Sequence, residues 1–128
     1  MKSNKNHNNN IMSKSILQDK SLLFAVRCVN MYRYLTNEKK EYVLSKQMLR
    51  SGTSIGANIS ESRNAQSDAD FVSKLSIALK EADETAYWFE LMKMTEYISE
   101  EEYDSINNDL KELIAILVTT LKTKKNQI

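Results

Sequence analysis

A chain of 128 residues, 41% hydrophobic and 27% charged, has the size and balance of one ordinary globular domain. Its 18 Lys+Arg against 17 Asp+Glu leave a formal net charge of +1, which excludes a strong whole-molecule field and confines any nucleic-acid affinity to a local patch. The absence of proline and the presence of only two glycines exclude a turn-rich sheet fold and favour long helices joined by short polar links.

Residues 1–12 (MKSNKNHNNNIM) are polar and low in complexity, and a disordered tail is expected there. They lack the apolar stretch of a secretory signal, and no apolar run reaches the ~18 residues of a membrane span. The cytoplasm is the expected location, with no membrane partner. A first helix is expected to start near Ser13 or Ser15 and to run to about Leu35. Leu17, Phe24, Cys28, Met31 and Leu35 mark one face of it, and Leu22, Val26 and Val29 a second. A helix apolar on most of its circumference is covered on more than one side, which points to another subunit.

Thr36 and Asn37 form the first break and can cap a second helix that carries Glu38 and Glu41 in its first turn. That helix is expected to reach about Arg63, with Leu44, Met48, Ile55 and Ile59 as a thin apolar stripe. Ala65 to Asp70 makes the next link, with Ser67 or Asp68 as the cap. In the third helix Phe71, Leu75, Ala78, Ala82, Thr85, Phe89 and Met92 alternate in steps of four and three, a heptad seam. It is expected to end between Met94 and Tyr97. Ser99 caps a fourth helix, with Glu100, Glu101 and Glu102 suiting the dipole. Its seam is Tyr103, Ile106, Leu110, Leu113, Leu117 and Leu121, and residues 124–128 form a frayed basic tail. The predicted fold is all-α: an up-down-up-down antiparallel four-helix bundle over residues 13–123.

The chemistry of sites is sparse. The single cysteine, Cys28, lies in an apolar run and reads as a buried, inert thiol. The one histidine, His7, sits in the polar tail, so the Glu-x-x-His pairs of a di-iron bundle cannot form. Glu81 and Glu84 are one turn apart, with Glu90 further along, and read as a solvated face or as partners for basic groups. There is no Cys/His zinc spacing, no phosphate-binding glycine loop and no Ser/His or Cys/His pair. Asn58-Ile59-Ser60 matches the glycosylation pattern by chance in a helical setting. No catalytic residue, cofactor or metal is expected, and the chain is read as a non-enzyme.

The second helix is unusual. Its two glycines, Gly52 and Gly56, cost roughly 2 kcal/mol relative to alanine in a helix interior. They lie one turn apart on one face, where they let a neighbouring backbone come close. Arg50, Ser54, Asn58 and Glu61 follow in steps of four, four and three, and Ser51 and Asn58 continue the seam from Leu44 and Met48. Polar groups near a core need hydrogen-bond partners. A structural network is therefore expected, anchored on Arg50 and joining Ser51, Ser54, Asn58 and Glu61 to Glu81 and Glu84. A stripe that contacts a ligand or RNA is the other reading.

Arg50-Ser51, Ser54-Ile55, Asn58-Ile59-Ser60-Glu61, Phe71 and Leu75-Ser76-Ile77-Ala78-Leu79 together resemble the 23S rRNA intervening-sequence protein family, the "four helix bundle protein". Ser62 departs from the glycine usual there, which bears on the local link geometry. The resemblance implies a bundle that assembles as a ring-like homo-oligomer, often a pentamer. It also implies kinship with the accessory variability protein of diversity-generating retroelements, which binds nucleic acid and a reverse transcriptase.

Two functions follow. One is RNA or DNA association through Lys39, Lys46 and Arg50 on one side of the second helix, with Arg63, Lys122, Lys124 and Lys125 near helix ends. The other is a protein-interaction scaffold without nucleic acid, in which Leu22, Val26 and Val29 drive self-assembly and another protein is the partner.

Overall fold

The computed structural model describes the backbone of residues 5–127 and the side chains of residues 16–127. Four helices follow in order: α1 (Lys5–Asn37), α2 (Leu44–Ser62), α3 (Asp68–Met94) and α4 (Glu100–Gln127). α1 packs on α2, α2 on α3, α3 on α4, and α4 returns to α1; the α2–α3 seam is the most extensive and the α4–α1 seam the thinnest. Short links make neighbours antiparallel, so the expected all-α four-helix bundle is the fold. The backbone of α1 is helical from Lys5, earlier than Ser13, and no glycine or proline interrupts that stretch. The tail expected over residues 1–12 has its side chains outside the described residues, as is His7; residues 1–4 and 128 lie outside altogether.

The core follows the seams. α1 contributes Leu17, Phe24, Cys28 and Leu35; α2 contributes Met48, Ile55 and Ile59. α3 buries Leu75, Ala78, Ala82, Thr85, Phe89 and Met92, and α4 buries Ile106, Leu110, Leu113, Leu117 and Leu121. Phe24 and Phe89 meet edge to face across the bundle, ring centroids 6.1 Å apart, the geometry that aromatic quadrupoles favour.

Helix ends show where sequence signals hold. Ser67 caps α3 by accepting from the Asp70 amide at 3.0 Å. Ser99 and Glu102 form a reciprocal capping box on α4: the Glu102 amide donates to Ser99 Oγ at 3.0 Å, and the Ser99 amide to Glu102 Oε1 at 2.8 Å. The start of α2 differs from expectation. Thr36 is not its cap; its hydroxyl donates back to the Tyr32 carbonyl at 2.9 Å, inside the last turn of α1. Residues 38–43 form a link with Lys40 at φ 55°, and Glu41 caps α2. Glu41 Oε1 accepts from the Val43 and Leu44 amides at 2.9 and 2.7 Å, and Oε2 from the Ser45 amide at 2.7 Å. Burial would raise the Glu41 carboxyl, but these three amides and Ser45 outweigh it and hold the carboxyl below its ordinary range.

Candidate functional site

The two glycines of α2 mark where α1 comes closest. A Cβ built on Gly52 would sit 2.5 Å from Cys28 Sγ, and one on Gly56 would sit 3.3 Å from the Ser21 carbonyl oxygen. On its other flank α2 meets α3 through hydroxyls: Thr85 Oγ1 lies 2.9 Å from Ser51 Oγ, and Thr85 also donates to the Glu81 carbonyl at 2.7 Å. Both residues are fully buried, and this pair spans two helices inside an apolar seam. Cys28 is sealed beneath Gly52; burial pushes its thiol up to about 12, with a smaller opposing pull from Arg27. A thiol that stays protonated is a poor nucleophile or metal ligand.

The polar stripe of α2 is more local than a network. Ser54 Oγ donates to the Arg50 carbonyl at 2.6 Å and Asn58 Nδ2 to the Ser54 carbonyl at 2.9 Å, both one turn back along the same helix. Arg50 reaches Glu84 at 3.7 Å, and Glu84 accepts from the Trp88 indole at 3.2 Å. Glu61 pairs with Lys74 at 3.4 Å. Glu81 offers its backbone carbonyl to Thr85. The structure thus brings Arg50 to Glu84 and Ser51 to Thr85, and leaves Ser54 and Asn58 bonded within α2.

The seven candidate basic residues do not converge. Lys39 lies in the α1–α2 link over the Tyr34 ring, and Lys46 is exposed in the first turn of α2. Arg63, Lys122, Lys124 and Lys125 lie at the other end of the bundle. Lys124 there pairs with Asp68 at 2.8 Å and sits 5.6 Å from the Phe71 ring centroid. An open groove of about 590 Å³ runs past Arg63, Phe71, Thr120 and Lys124 at that end. Arg50 stands between the ends, 68% exposed.

The outward face of α1 is apolar and uncovered. Leu22 is 64% exposed, Leu23 66% and Val26 49%, while Val29 is half-buried. Between this face and α4 runs a clamp of charges. Arg27 donates to Asp109 Oδ2 at 2.7 Å, to the Ser105 carbonyl at 3.1 Å and to Ser105 Oγ at 2.9 Å, and Lys20 pairs with Glu112. Sequence reasoning missed Arg27 and Leu23. The signal was there: Lys20 and Arg27 are seven residues apart, as are Ser105 and Glu112, which suits an antiparallel pair of helices.

The match to known proteins falls on this same bundle. The family model of the 23S rRNA-intervening sequence protein matches residues 13–119. The chain belongs to this family. A crystal structure of a protein of unknown function from the S23 ribosomal protein family of Bacteroides thetaiotaomicron is 60% identical. The similarity covers 86% of this chain and 98% of that one, with a TM-score of 0.85. No curated protein matches the chain. The family match spans the small-residue stretch of α2, the heptad seam of α3 and the uncovered face of α1 together. Among the described residues no group of three or more His, Cys, Asp or Glu side chains could hold a metal, and no helix is long and apolar enough to cross a membrane.

Proposed function

We propose that this protein is a non-enzymatic, homo-oligomeric bundle in the cytoplasm, assembled through the outward face of α1, which serves as a binding scaffold. The observation that carries this reading is the exposure of Leu22, Leu23 and Val26 side by side on one helix face. Covering each of these side chains stabilises by on the order of 1–2 kcal/mol. Apolar patches of this kind mark association surfaces. Leu22→Glu and Val26→Glu place a charge on a face that already meets water, so the bundle itself folds. Sedimentation velocity at micromolar protein is expected to show each variant lighter than the unaltered chain. Equal sedimentation of all three would exclude this face as the assembly surface.

A second reading, RNA association by the assembled protein, rests on Arg63, Lys122 and Lys125, exposed at one end of the bundle. The description of the matched family, a 23S rRNA-intervening sequence protein, supports it. Repeating these cations around an oligomer would build a patch that one chain of charge +1 lacks. Binding of structured RNA across a salt series tests it: affinity that falls steeply with salt supports an electrostatic interface, and no binding at low salt removes the reading.

A further inference from the structure

The groove beside the α2–α3 link differs from the other clefts in having a cation left over. Its floor is apolar: Leu17, Ile59 and Leu75 lie there, all buried. On its rim Lys124 is already paired with Asp68 at 2.8 Å, whereas Arg63 is exposed and has no ion pair among the described residues. The side-chain amides of Gln66 and Gln127 border it too, both exposed and each able to donate and to accept. A second cleft is fringed by Glu96, Glu100 and Glu102 and would repel an anion; in a third, beside Arg27, the cation is tied to Asp109. The groove's volume of about 590 Å³ falls within the ~300–1,000 Å³ of small-ligand sites. A phosphate joined to a flat, partly apolar body suits this set of groups, whereas an acyl chain would leave the two amides unanswered.

We propose that this groove receives one unpaired nucleotide of a bound RNA, with the phosphate on Arg63, the base on the apolar floor and the base edge met by Gln66 and Gln127. This deepens the RNA reading above, on which it rests, by naming the part of an RNA that is selected. A base inside a duplex has both faces stacked and its pairing edge occupied, so a duplex offers Arg63, Lys122 and Lys125 its phosphates alone. An unpaired base is free to turn away from its strand and cover apolar surface. Such contact accepts every base, because each has a face to lay down. The amides add a preference for adenine, whose edge presents one donor beside one acceptor.

Fluorescence anisotropy on the full chain at low salt tests this, with a blunt RNA duplex compared to the same duplex carrying a short single-stranded adenine overhang. The overhang is expected to bind about tenfold tighter, the scale of one base laid on a protein surface. Because the added contact is mainly apolar, that ratio should hold as salt weakens both complexes. Thr123→Trp places a bulky ring at the exposed rim of the groove and should bring the overhang down to the affinity of the blunt duplex, with helical content checked by circular dichroism. On the unaltered chain, millimolar adenosine monophosphate should remove the overhang's advantage, and inorganic phosphate at the same concentration should not. Equal affinity for the two RNAs, an advantage that vanishes with salt or survives Thr123→Trp, or equal competition by inorganic phosphate overturns the nucleotide site and leaves RNA association standing on phosphate contacts. No binding of either RNA overturns both.

Discussion

On its α2 side, α1 lies against two glycines, and the separation is set by what fits between Cys28 and the backbone of α2. On its α4 side the seam is thin and is bridged by Lys20–Glu112 and by Arg27 with Ser105 and Asp109, whose charged side chains are roughly two-fifths to one-half exposed. The first contact depends on shape in a dry interior, where a single added carbon is felt. The second depends on charge in water, where salt and side-chain entropy reduce its worth. α1 is thus anchored firmly along one edge and loosely along the other, and its uncovered apolar face completes the asymmetry. A second copy laid on that face would supply the cover that α4 does not.

The difference can be broken from the tight side first. Gly52→Val puts carbon where Cys28 Sγ already stands, and a loss of about 3 kcal/mol is expected in urea unfolding. Adding Cys28→Ala to that variant frees the space and should return part of the loss; a neutral Gly52→Val would show that the helices are not this close. Glu41 holds the start of α2 against the end of α1, since its own amide donates to the Leu35 carbonyl at 2.9 Å. Glu41→Gln is expected to cost about 2 kcal/mol at pH 7, the worth of charge-assisted bonds to backbone amides. The folded carboxyl titrates below the ordinary value of 4.5, so its stabilisation is full above that value and is lost as pH falls through the lowered one. The stability gap between the two proteins should therefore close on acidification below about pH 4.5, and a gap that stays constant would mean the charge is not what matters. On the loose side, Arg27→Ala is expected to cost at most about 1 kcal/mol, because the guanidinium is partly solvated. That cost should shrink in 0.5–1 M salt, roughly the range where the Debye length drops to a few ångströms, while the Gly52→Val effect does not.

Most of the bundle could be read from the chain because its signals are local. The α3 seam from Leu75 to Met92 and the α4 seam from Ile106 to Leu121 are buried as their heptad spacing requires. Ser67 and Ser99 cap as their positions suggest, since a cap needs only the next three residues. Glu41 escaped because a capping carboxylate depends on how the link folds back from α1, which no spacing states. The partner of Gly52 escaped for a similar reason: the glycine announces a close approach, but only packing says that Cys28 fills it. The polar stripe of α2 was legible as a stripe, whereas its bonds turned back on the same helix once each hydroxyl or amide found a carbonyl one turn behind. Charge was the least legible. Seven cations that share a sign along the sequence are divided between the two ends and the middle of the bundle, and two of them, Arg50 and Lys124, lie beside carboxylates.

Self-assembly requires that the uncovered face of α1 be a contact surface. Light scattering coupled to size exclusion, on the unaltered chain at micromolar concentration, answers this directly. A mass of two or more chains, a whole-number multiple of 14.8 kDa, is the expected result, falling toward a single chain for Val26→Glu. A stable 14.8 kDa species at the same concentration would contradict it.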